Sequence, residues 1–140
     1  MWVKYIDNNI TIRSIYKDKT PNINAITINK IDIIVNEYLN VDLIITLKDI
    51  PECLPKKWKD RNVDTIAFDF TLSEIYLKSV AINNENFRNV HLDIFEIENG
   101  IKKIIGKDIL GKVVFDIEAH WISIMRISGY NSQIDYHGYK

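Results

Sequence analysis

The chain has 140 residues, a formal net charge of −1, 46% hydrophobic residues and 26% charged ones. Ile, Val and Thr supply 41 residues, 27 of them Ile, while Ala occurs four times; branched side chains lose rotamer freedom in a helix and pack well on a pleated sheet, so a helical bundle is excluded and one largely β domain over 1–140 is expected. Residues 1–60 carry nine basic and eight acidic groups and residues 61–140 nine and eleven, which argues against a dedicated nucleic-acid binder, since neutralising phosphates needs a basic surplus.

Residues 1–22 read as one or two short helices or irregular chain, with Trp2, Tyr5, Ile6 and Ile10 on one helical face and Thr20-Pro21-Asn22 as the break. From Ile23 the apolar period becomes two. Ile26 and Ile28 share a face. Ile31, Ile33 and Val35 follow after a phase slip at Asn29-Lys30 that a bulge or a tight turn explains. Val41, Leu43, Ile45 and Leu47 alternate with Asp42, Ile44, Thr46 and Lys48 as a half-buried strand does.

Residues 49–61 have no strand pattern and hold two of the three prolines, Cys53 and Trp58, so an ordered loop is expected there. Ile66, Phe68, Phe70 and Leu72 then alternate, followed by Ile75, Leu77 and Ser79 in a new phase. Val90, Leu92 and Ile94 oppose His91, Asp93, Phe95 and Ile97. Asn99-Gly100 marks a hairpin, because both residues tolerate the positive φ of a type I′ turn. A short return strand, Ile101–Ile105, precedes two last segments, one alternating through Val113, Phe115, Ile117 and Ala119 and one spanning Ile122 to Ile127. About nine antiparallel strands over 23–130, in a β-sandwich or partly open barrel, are the expected architecture, with 131–140 as a polar tail.

No phosphate-binding, nucleophile-elbow or zinc-helix motif is present. His91-x-Asp93 and Glu118-x-His120 each set an imidazole and a carboxylate on one strand face. Convergent, they would supply metal ligands or a general base for a small hydrolase; apart, they are polar residues of half-buried strands. Cys53, the single cysteine, excludes an internal disulfide and suits a reducing cytoplasm. It reads as a buried apolar residue rather than a nucleophile, since no neighbouring base activates it. Lys56, Lys57 and Lys59 around Trp58 read either as a base-stacking basic cluster or, preferably, as a Trp plug whose flanking lysines reach solvent. Asp69, Asp93, Asp116 and Glu118 lie on polar strand faces and are candidates for meeting a basic partner. No apolar run is long enough for a membrane span or a signal peptide.

The stretch Ile50-Pro51-Glu52-Cys53-Leu54-Pro55-Lys56-Lys57-Trp58 resembles the bacterial immunity proteins of polymorphic toxin systems, specifically the family numbered 50 in that series. The order of early Trp2 and Ile6, Asn8-Asn9, Ile15-Tyr16, Pro21, the proline loop, Phe68, Phe70 and Leu72, and Gly129-Tyr130 extends the likeness over most of the chain. Leu54-Pro55 stands where a double proline is expected. The resemblance implies a small cytoplasmic protein without catalytic machinery or cofactor, whose partner is a cognate toxin domain, for instance a nuclease. Asp69, Asp93, Asp116 and Glu118 would then supply charge, with Trp58 and Tyr130 as aromatic anchors. Two other expectations stay open: the hydrolase using His91 or His120, and a β module for small-ligand binding or assembly, including a homodimer through an edge strand.

Overall fold

The computed structural model describes residues 1–132; most of the expected polar tail, 133–140, lies outside the described residues. Six antiparallel strands form one sheet: β1 (Thr27–Val35), β2 (Leu39–Leu47), β3 (Thr65–Val80), β4 (His91–Glu98), β5 (Ile101–Lys107) and β6 (Val113–Tyr130), in the order β1-β2-β3-β6-β5-β4. A single 3-10 turn (Trp2–Tyr5), helix α1 (Ile10–Tyr16) and helix α2 (Lys56–Asp60) complete the fold. Mainly β architecture is what the composition implied, and the short N-terminal helical segments fall where residues 1–22 read as helical or irregular. No helix among the described residues is long and apolar enough to cross a membrane.

Six strands stand where about nine were expected, and the difference has one cause. Three phase slips, the first expected as a bulge or a tight turn and the other two as strand ends, are irregularities inside continuous strands. A register shift between Ile28 and Lys30 bends β1 without ending it. In β3 the slip falls at Glu74, whose φ is +52°, so that Leu72 and Ile75, three residues apart, are both buried. In β6, Ala119 and Ile122 are both buried across the same level, where Ser73 faces Trp121. β3 and β6 thus switch facing together, and pairing continues through the kink.

The layer against the inner sheet face is also not a second sheet. It is the N-terminal segment. Trp2, Val3, Ile6, Ile12 and Tyr16 are buried, and the Trp2 and Tyr16 rings pack on Phe68 with centroids 6.2 and 6.1 Å apart. A seven-residue helix is marginal alone; burial of Ile12 and Tyr16 holds α1 in place. Burial, and then the nearby Asp49, push the Tyr16 hydroxyl well above its ordinary pKa, and that hydroxyl donates to the Asp49 carbonyl at 2.8 Å.

The segment is fastened where β5 has ended and β6 has a bare edge. Asp7 N–H donates to Ile122 O and Ile122 N–H donates to Asp7 Oδ2, at 2.8 and 2.7 Å. Asn8 repeats this with its amide: Nδ2 donates to Ile124 O and Oδ1 accepts from Ile124 N–H, at 2.9 and 2.8 Å. A side-chain carboxylate and a side-chain amide therefore stand in for a neighbouring strand. Lys102 Nζ, 3.1 Å from Asp7 Oδ1 and donating to His120 O, locks this joint from beneath.

Two glycines are required by close packing. At Gly106 a Cβ would stand 2.6 Å from the Phe115 ring, and at Gly129 it would stand 2.8 Å from the Trp58 ring. The expected loop over 49–61 contains helix α2, entered through Pro55 and turned inward to bury Trp58. Cys53 is exposed, which corrects its expected burial: the loop points its apolar weight into the core through Trp58 instead.

Candidate functional site

The outer face of β4, β5, β6 and the second half of β3 is built by alternation. Leu92, Ile94, Ile104, Ile117 and Ala119 turn inward and are buried, so their strand neighbours turn out. Register then sets two rows across four strands. Phe95, Lys103, Glu118 and Tyr76 form one; Asp93, Ile105, Asp116 and Ser79 form the other. Lys103 Nζ sits between the two acids, 3.3 Å from Asp116 Oδ1 and 3.6 Å from Glu118 Oε2, and Lys78 Nζ approaches Glu118 at 3.9 Å. Asp116 Oδ1 is buried and, among the described residues, receives no hydrogen bond in addition to this ion pair.

Around this charged centre stand exposed rings: Tyr76 (53% exposed) and Phe95 (39%). Trp121, half exposed at the kink, donates from Nε1 to Glu74 Oε2 at 2.8 Å and lies under Lys102 Nζ, 5.4 Å from the ring centroid. The His120 ring is 6.1 Å from that of Tyr76.

Of the expected site residues, Asp93, Asp116 and Glu118 share this face, together with His91 and His120. Asp69 does not. It lies seven positions back along β3, about 23 Å at strand spacing, opposite Ile44 and Arg126. Burial first, then repulsion from Asp42, raise its pKa, against the opposing pull of Arg126 and Lys30. Trp58 and Tyr130 are buried, at 4% and 8% exposure, so neither ring offers an accessible anchor. Trp58 is the plug that its flanking lysines suggested. The acids do not form a bare negative patch either, because Lys103 and Lys78 are interleaved with them.

His91 Nε2 and Asp93 Oδ1 are 3.1 Å apart. This pair and Glu118-x-His120 do not converge: His91 is opposite Lys107 and Glu118 opposite Lys103, on a strand that separates them by about 13 Å along its length. Among the described residues no three His, Cys, Asp or Glu side chains are grouped to hold a metal.

Sequence reasoning missed Tyr76, Phe95, Lys103 and Trp121. For Phe95 the signal was present, an aromatic in phase with His91 and Asp93 on the polar side of its strand. Lys103 and Trp121 had none, since their importance comes from cross-strand neighbours.

No family model, curated protein or solved structure matches this chain.

Proposed function

We propose that the chain is an immunity protein, which binds a cognate toxin domain and neutralises it through the outer face of β4, β5, β6 and the second half of β3. The observation that carries the reading is the row of exposed rings, Phe95 and Tyr76, flanking the Lys103–Glu118 pair on a continuous hydrogen-bonded sheet. Rigid aromatic side chains bind at low entropic cost, and a rim of paired charges sets register and specificity. The likeness of residues 50–58 to the immunity family supplies the class of partner. The protein acts in the cytoplasm by covering the toxin's working surface, without a cofactor and without touching nucleic acid itself. Its scaffold in this reading is a partly open barrel, since the two sheet edges meet at the Ile26–Val90 bridge.

The test is co-expression with the C-terminal domain of a large reading frame found immediately upstream of the chain's gene. Rescue of growth and co-purification are expected, with Tyr76→Ala and Phe95→Ala each weakening binding about tenfold or more. A toxin domain that neither co-purifies nor is neutralised rejects the reading. The His91–Asp93 contact favours a second one, a hydrolase with His91 as general base; turnover in a substrate screen that His91→Ala abolishes would replace the first.

A further inference from the structure

We propose that two copies of this chain dimerise through β1, edge to edge, about a twofold axis at Ile31. Three observations meet there. The first is an open edge. On the side away from β2, β1 is engaged only at its start, by the Ile26–Val90 bridge and by Ile28 N–H donating to Phe87 O at 2.8 Å. From Asn29 to Val35 the edge carries no further backbone partner on that side among the described residues. An open edge is a template for pairing with another strand.

The second is self-complementary charge. Lys30, Ile31 and Asp32 are consecutive, and both charged side chains are about half exposed. Antiparallel pairing about Ile31 sets Lys30 of each copy against Asp32 of the other, twice. Moving the axis to residue 30 or 32 sets Lys against Lys or Asp against Asp. Opposite charges directly across a strand pair stabilise it and like charges oppose it, so this register is selected.

The third is a projection and a recess at opposite ends of the same edge. The side chains of β1 emerge as the strand leaves the core, from Ile28 at 5% exposure to Ile33 at 44% and Val35 at 81%. Beside the strand's start, a groove of about 480 Å³ runs between residues 27–31 and the turn that follows β3, with Ile31, Ile82 and Phe87 as its apolar lining. A twofold axis between projection and recess carries Ile33 of each copy to Asn29 and the groove of the other. This is the isologous arrangement that a closed dimer needs. The proposal is independent of the toxin-binding reading: it uses residues 27–35 and the turn after β3, none of which belongs to the rows of Tyr76 and Phe95.

The experiment is sedimentation equilibrium of the full chain from micromolar to millimolar concentration, with folding of each variant checked by circular dichroism. The wild type is expected to form a dimer. Lys30→Asp and Asp32→Lys should each weaken it at least about tenfold, and the double exchange K30D/D32K should restore it. Val35→Asp, at a site too exposed to affect folding, should also weaken it. A wild-type monomer across the whole range overturns the proposal. So does a dimer indifferent to both single changes, or a folded double exchange that stays monomeric.

Discussion

The β3–β6 ribbon runs through two environments. Between Thr65 and Leu72 it is covered: Thr65, Ile66, Ala67 and Phe68 are all buried, the inner face by the N-terminal segment. Past the kink at Glu74, residues Tyr76–Val80 are all exposed, although the same two strands remain paired. Regular backbone pairing thus says little about how much each part contributes to stability. Covering does that, and the N-terminal segment covers only one end. The uncovered end keeps its sheet geometry while leaving side chains available for contact.

Five substitutions sharpen or break this contrast. Phe68→Ala, in the covered half, removes a ring that touches Trp2, Tyr16 and Phe70. It should cost about 3–5 kcal/mol in urea unfolding, against well under about 1 kcal/mol for Tyr76→Ala in the open half. Equal losses would abolish the distinction. Asp7→Ala takes the acceptor from Ile122 N–H and the counter-charge from Lys102, which is only 11% exposed in its side chain. A loss of about 2–3 kcal/mol is expected, together with faster amide exchange at Ile122 and Ile124. Gly129→Ala drives a methyl into Trp58 and Val63 and should cost about 1–3 kcal/mol, with a shift in Trp fluorescence.

The smallest effect concerns Asp69, on the outer side of the covered half. Its pKa is raised by folding, so the folded chain holds the proton to higher pH than the unfolded chain does. The associated stability is present below the unfolded pKa and lost as pH rises through the folded one. Asp69→Asn should therefore raise stability slightly near neutral pH and leave it unchanged in acid. Thermal melts across that range check the sign. Asp64 has the opposite sign: its pKa is lowered, first by the Ser132 N–H donating to it. Its contribution is present above the unfolded pKa and disappears as pH falls through the folded one.

Much of this fold is legible in the sequence. Alternation from Val41 to Leu47 and from Leu92 to Ile94 located inward faces, because a strand's side chains have a period of two whatever the strand pairs with. The Asn99-Gly100 turn was legible for an equally local reason, both residues taking positive φ. The candidate face was half legible. Asp93, Asp116 and Glu118 could be set on polar sides, yet the pairing of Asp116 and Glu118 with Lys103 and Lys78 depends on register between residues up to 40 positions apart. The exclusion of Asp69 from that face depends on β3 running on as one strand, and that of Trp58 and Tyr130 on their burial.

The isoleucine-rich composition determined by itself that the chain would be sheet, and the periodicity determined which side of each segment would be buried. Both follow from local sterics and from the tendency of apolar groups to leave water. The tertiary structure decided how many strands those segments make, since a phase slip becomes a bulge or a turn only according to what pairs beside it. It also decided what covers them. A buried face needs apolar cover of matching shape, and a 16-residue stretch with two short helical turns supplies that as well as a second sheet does. Nothing in the alternation of the strands themselves distinguishes the two.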